Sequence, residues 1–122
     1  MARILVVDDE DSIRELIKEV LSMDGHTFET AGDGAQALEL IRKTNFDLVI
    51  LDRNMPTMTG IQALAILRSN PSYKGLKVLM CTSASVTKEV DEAFAAGAND
   101  YILKPINLAM LQGKVKKHLA KA

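Results

Sequence analysis

Asp8 with Asp9, Asp52, Thr82 and Lys104 follow four short apolar runs, residues 4–7, 48–51, 78–81 and 101–103. If those runs are strands of one sheet, three carboxylates, a hydroxyl and an ammonium collect at a single edge. Two carboxylates about 4 Å apart repel by roughly 4 kcal/mol at an effective dielectric of 20. That is large beside a total stability of about 5–15 kcal/mol. One lysine cannot neutralise three such charges, whereas a hard divalent cation can. Mg²⁺ prefers oxygen ligands and commonly sits with a few carboxylates beside phosphate. Metal, lysine and hydroxyl together form the set used in phosphoryl transfer, where positioning and charge neutralisation dominate. Without the metal, replacing Asp9 or Asp52 by Asn is expected to relieve repulsion and stabilise the fold.

Each residue alone has a plainer reading. Asp8-Asp9 suits a turn before a helix, Asp52 a loop cap, Thr82 a β-branched strand position, Lys104 a solvated strand end and Tyr101 a partly buried core position. Their joint occurrence at four strand ends is what favours chemistry.

The elements that must position them alternate regularly. After the first run, Ile13, Leu16, Ile17, Val20 and Leu21 recur at helical spacing. Ser12 and Glu15 have the spacing of a capping box, and Gly25 follows. Residues 27–30 form a weaker strand candidate. Asp33 with Gln36 repeats the cap spacing before a helix carrying Ala37, Leu38 and Ile41. Residues 53–60 read as a loop punctuated by Pro56 and Gly60. A helix through Ile61, Leu64 and Leu67 ends before Asn70-Pro71. Ser85 can cap a helix bearing Val86, Val90, Ala93 and Phe94, with Gly97 just past its end. Asn107 can cap a last helix whose face is Leu108, Leu111, Val115 and Leu119. Strands apolar throughout indicate burial on both faces, as in a parallel sheet covered by helices. The expected fold class is therefore α/β, a doubly wound five-stranded parallel sheet with five helices.

Composition bounds the rest. The chain has 122 residues, a length for one domain over residues 1–122. Its single cysteine, Cys81, excludes an internal disulfide, reads as an inert core thiol and suits the cytoplasm. No apolar run is long enough for a membrane span or a signal peptide. The net charge of −1 argues against nucleic acid. Lys114, Lys116, Lys117 and Lys121 read as complements to the negative end of the last helix. His26 and His118 lack ligand spacing and are expected at the surface.

The combination of Asp8-Asp9, Asp52, Thr82 and Lys104-Pro105 resembles the response-regulator receiver domain, and the likeness runs from Arg3 to about Ala120. Asp52-Arg53-Asn54-Met55-Pro56, with Gly60 beyond, is most similar to stand-alone, CheY-like members. The resemblance implies a flavodoxin-like strand order 2-1-3-4-5 and a phosphorylation-dependent switch in a two-component, phosphorelay or chemotaxis system. Asp52 would accept the phosphoryl group from a histidine kinase or histidine phosphotransfer protein. Asp9, Asp52 and the backbone carbonyl of Asn54 would bind Mg²⁺ (or Mn²⁺), with Asp8 acting through water. Lys104, followed by a cis bond to Pro105, would pair with phosphoryl oxygens. Thr82 and Tyr101 would relay the change to the face of the fourth helix, fifth strand and fifth helix, where a downstream protein docks. The protein would be a monomer and no enzyme beyond its own phosphorylation and dephosphorylation. Ile106 stands where many chemotaxis regulators carry an aromatic residue.

Two other classes compete. A phosphohydrolase using an aspartyl phosphate would want a second Asp where Asn54 stands, and a cap insertion to enclose substrate. A flavodoxin-type electron carrier would need a hydroxyl- and glycine-rich loop after the first strand. Asp8-Asp9-Glu10-Asp11 would repel that flavin phosphate.

Overall fold

Strands buried on both faces need helices on both sides, and the chain supplies them in strict alternation. The computed structural model describes residues 2–53, 55, 57–83 and 87–119. It contains β1 (Arg3–Val7), α1 (Asp11–Ser22), β2 (Thr27–Ala31), α2 (Gly34–Lys43), β3 (Leu48–Asp52), α3 (Gly60–Arg68), β4 (Lys77–Ser83), α4 (Thr87–Ala95), β5 (Asp100–Lys104) and α5 (Leu108–Leu119). The strands form one parallel sheet in the order β2-β1-β3-β4-β5, as expected.

Alternate strand residues feed two apolar layers. Leu5, Val7, Val49, Leu51, Val78 and Met80 pack with residues of α2, α3 and α4. Ile4, Val6, Leu48, Ile50, Leu79 and Cys81 pack with α1 and α5. Truncating a leucine in either layer to alanine costs about 2–5 kcal/mol, so each layer holds the strand ends firmly. Among the described residues no helix is long and apolar enough to cross a membrane.

Several helix ends follow the sequence reading. Asp33 caps α2 by accepting from the Gln36 N–H, and Asn107 caps α5 by accepting from the Met110 N–H. Gly97, with φ +107°, closes α4, where its N–H donates to Phe94 O and that of Ala98 to Ala93 O. This pairing is a Schellman end, for which glycine pays no Cβ penalty. Arg68 secures that turn, donating to the carbonyls of Gly97, Tyr73 and Leu76 and to Asn99 Oδ1. Burial lowers its pKa from the usual guanidinium range.

Other expectations need correction. The Ser12–Glu15 capping box is absent: Ser12 already lies within α1, whose N-cap is Glu10 and has no side-chain cap bond. The chain turns earlier because Asp8 Oδ1 accepts from the Glu10 N–H at 2.9 Å. The capping box found is Thr59 with Gln62, at the start of α3. Leu16 and Phe94, placed on buried faces by periodicity, are substantially exposed. The expected cap Ser85, its neighbours Ala84 and Val86, and Pro56, Ala120 and Lys121 lie outside the described residues.

Candidate functional site

Parallel register brings the chemistry-bearing strand ends together. Val7 pairs with Leu51, Asp52 with Cys81, and Thr82 with Leu103, so Asp8, Asp52, Thr82 and Lys104 share the carboxyl edge. Ligands of open parallel sheets bind at this edge. Asp8 and Asp52 are each 2% exposed and Thr82 is 1% exposed, whereas Asp9 is exposed.

Lys104 Nζ stands 2.9 Å from Asp52 Oδ1 and 3.6 Å from Asp8 Oδ2. Burial works against its charge, but the hydrogen bond to Asp52 and the charges of Asp52 and Asp8 outweigh this. Its pKa is therefore raised above the ordinary lysine value. The Lys104-Pro105 bond is cis, as the resemblance implied. Cys81, beside Asp52 in the sheet, has its thiol pushed up to about 12 by burial and by the Asp52 charge, which agrees with an inert core thiol.

Carboxylate oxygens of Asp8, Asp9 and Glu10 all lie within 4.8 Å of one another, close enough to share a metal ion. Glu10 is an addition to the sequence-derived ligand set; its place directly after Asp9 was the available signal. Asp52 is tied to Asp8 through Lys104. Asn54, whose carbonyl the resemblance assigns to the metal, lies outside the described residues. Arg14, three residues after Asp11, pairs with it and donates to the Asp8 carbonyl, fixing the turn that carries the acids.

The donor set fits a hard cation. Among the described residues, Asp8 and Asp52 share the Lys104 ammonium, and the carboxylates of Asp9 and Glu10 lie beside Asp8. Thr82 Oγ1 is buried without a hydrogen-bond partner among the described residues. An orphaned buried hydroxyl is costly unless a ligand or water oxygen meets it.

The loop after Asp52 is tightly held. The Arg53 N–H donates to Cys81 O, and the Gly60 N–H donates to Arg53 O. A Cβ on Gly60 would lie 2.2 Å from the Asp52 carbonyl oxygen, so only glycine permits this approach. Arg53 also pairs with Glu92 of α4 at 2.5 Å, a link that sequence reading missed because 39 residues separate the two.

Tyr101 sits half-buried beside a second polar group. Lys114 Nζ lies 3.7 Å from the Tyr101 ring centroid and donates to the Tyr101 carbonyl and to Asp100. Lys114 is thus no simple complement to the helix end. His118 is likewise not at the surface: it is buried, with Nε2 2.9 Å from Asp100 Oδ2. Helical spacing explains both corrections, since positions 114 and 118 share the face of α5 turned to β5.

Fold and edge define a doubly wound α/β protein with acids, a hydroxyl and a lysine gathered at one end of its sheet. Comparison with known proteins makes the class specific. The family model described as response regulator receiver domain matches residues 4–116, and the chain belongs to that family. It is 40% identical over 116 residues to the chemotaxis protein CheY of Pseudomonas aeruginosa, covering 94% of each chain. It is 38% identical to the DNA-binding response regulator MtrA of Mycobacterium leprae, covering 96% of this chain and 51% of that one. The solved structure of the Vibrio cholerae chemotaxis response regulator CheY4 superposes with TM-score 0.90 at 36% identity, covering 97% and 98% of the two chains. A CheY-like receiver domain protein from Methanospirillum hungatei gives 0.89 at 30% identity, covering 99% and 95%. Membership in this family implies phosphorylation-dependent signalling.

Proposed function

We propose that residues 1–122 act as one receiver domain, a switch that takes a phosphoryl group on Asp52 from a histidine kinase or a histidine phosphotransfer protein. The observation that carries this reading is Lys104 Nζ at 2.9 Å from Asp52 Oδ1, with Asp8 on its other side. A carboxylate oxygen of Asp52 attacks the phosphorus of the donor phosphohistidine. The P–N bond breaks, the imidazole nitrogen keeps the electron pair, and an acyl phosphate forms.

Mg²⁺ (or Mn²⁺), when bound, would neutralise charge on the phosphoryl oxygens. Asp9, Asp52 and the Asn54 carbonyl would hold it, with Asp8 through water and Glu10 within reach. Lys104 supplies a positive partner that follows the transferring oxygens. The Thr82 hydroxyl donates to a phosphoryl oxygen; its lack of a partner among the described residues supports this role. Tyr101, in β5, shifts with Thr82 and alters the α4-β5-α5 face for a downstream protein. The cytoplasm is the proposed location.

Acetyl phosphate with Mg²⁺ should add one phosphoryl group, detected by intact-protein mass spectrometry. Asp52→Asn should abolish the addition, and chelating the metal should suppress it. Full modification of the Asp52→Asn protein would reject the assignment.

A further inference from the structure

We propose that Lys114 is a positioning residue for Tyr101, holding its ring in the place seen here through an ammonium that Asp100 and His118 aim. This deepens the proposed switch and rests on it. The Tyr101 ring makes two contacts, one with a cation and one with another aromatic ring. The Lys114 ammonium lies 3.7 Å from the ring centroid, and Phe94 of α4 meets the ring edge-on at 5.9 Å between centroids and 82° between planes. Cations and aromatic edges are both attracted to the negative ring face, whereas an edge-on neighbour can also present its own face. Either way the ring gains contacts that depend on its present orientation.

A lysine on four rotatable bonds would not stay over one ring unaided. Here Asp100 Oδ1 accepts from it at 3.2 Å, and the Tyr101 carbonyl accepts as well. The other Asp100 oxygen is occupied by His118 Nε2, and the Asp100 carboxylate also accepts from the Tyr101 N–H. Asp100, Lys114 and His118 all lie mostly out of solvent, so their interactions are weakly screened. The chain thus joins the last two turns of α5 to the backbone and ring of a single residue. In this ring position Thr82 Oγ1 has no partner among the described residues, so the tyrosine is not hydrogen-bonded to Thr82. Moving toward Thr82 would require the ring to leave the ammonium. Lys114 therefore opposes the movement by which Tyr101 follows Thr82, and sets how much phosphoryl signal is needed to produce it.

The test uses the full chain with fluorotyrosine in place of its two tyrosines, Tyr73→Phe serving to assign the Tyr101 resonance. Beryllofluoride with Mg²⁺ is the phosphoryl mimic, titrated while the ¹⁹F spectrum is followed. Lys114→Met keeps the apolar stem and removes the charge. It should shift the ring equilibrium toward the beryllofluoride-bound position by about fivefold, the scale of a partly desolvated cation–π contact. Lys114→Arg, which retains a cation for the ring, should restore the wild-type spectrum. Asp100→Asn should fall between the two. A merely structural lysine would lower the melting temperature in Lys114→Met and leave the ring equilibrium where it was, which would overturn the proposal. If Lys114→Met is inert while Thr82→Ala blocks the beryllofluoride response, the clamp fails and the switch reading stands. If the wild-type Tyr101 signal ignores beryllofluoride that is demonstrably bound, the relay through Tyr101 fails and the clamp with it.

Discussion

Lys104 Nζ lies 2.9 Å from Asp52 Oδ1, and the same ammonium reaches Asp8 at 3.6 Å. The Lys104 ammonium therefore serves two buried carboxylates. Lys104→Met would leave both without it; the lysine is itself 30% exposed, so the cost is about 1–3 kcal/mol rather than that of a fully buried pair. The expected loss is large in metal-free urea unfolding and smaller with saturating Mg²⁺, which takes over part of the compensation. An identical loss in both conditions would count against metal and lysine sharing these acids. Asp52→Asn should leave the metal-free protein as stable as wild type or more so, because Lys104 can then serve Asp8 alone. Asp9→Asn should change stability by less than about 0.5 kcal/mol, since its exposed carboxylate is screened by water. The charge count alone had made Asp9 and Asp52 equivalent in this respect; their different burial separates them.

What was legible in the sequence follows from what is local. Leu48 to Leu51 is apolar without interruption, so a strand buried on both faces was the economical reading, and Asp52 at its end followed directly. Strand ends align in a parallel sheet, so the sequence alone brings Asp8, Thr82 and Lys104 to Asp52. Periodicity could not show that Phe94 packs edge-on to Tyr101 while staying 46% exposed. Nor could it pair Arg53 with Glu92, or Asp100 with His118, because both pairings depend on how a helix rotates over the sheet. The missed α1 cap has a simpler cause. Asp8 accepts from the Glu10 N–H, a local competitor that starts the helix one residue before Ser12.

Gly60→Ala should damage the site from a distance of one loop. Its Cβ would meet the Asp52 carbonyl oxygen at 2.2 Å and Arg53 Cα at 2.9 Å, both backbone atoms that cannot rotate away. Overpacking of this kind costs about 1–3 kcal/mol. Displacing Asp52 should also slow phosphorylation by acetyl phosphate roughly 10-fold or more, because alignment of the nucleophile is lost. A variant with an unchanged phosphorylation rate would show that the loop accommodates the methyl group without moving Asp52.

Thr57 offers the opposite experiment. It is the sole non-glycine residue with positive φ among the described residues, at 71°. A β-branched side chain is poorly suited to the left-handed region, which asparagine and glycine tolerate. Thr57→Asn or Thr57→Gly should therefore stabilise the protein by about 0.5–1 kcal/mol, raising the melting temperature by a few degrees. Thr57 is exposed, so little packing is lost in exchange. A lower melting temperature for both variants would mean that its side chain makes a compensating contact.

Asp100 sets a pH dependence that can be separated from the acidic pocket. Burial alone would raise its pKa, but hydrogen bonds from His118, from the Tyr101 N–H and from Lys114 outweigh this and hold the carboxyl below its usual range. A carboxyl with a depressed folded-state pKa binds protons more readily in the unfolded chain. Its contribution is therefore complete above the unfolded value of about 3.9 and is lost as pH falls through the lower folded value. Asp100→Asn removes the charge while keeping the shape, and at pH 7 should cost about 2 kcal/mol, the scale of hydrogen bonds made to a charged group. Measured by urea unfolding of both proteins, that difference should hold at pH 7 and shrink below about pH 4. A difference that stays constant down to the acid limit would mean that Asp100 acts through packing, and that Lys114 and His118 do not depend on its charge.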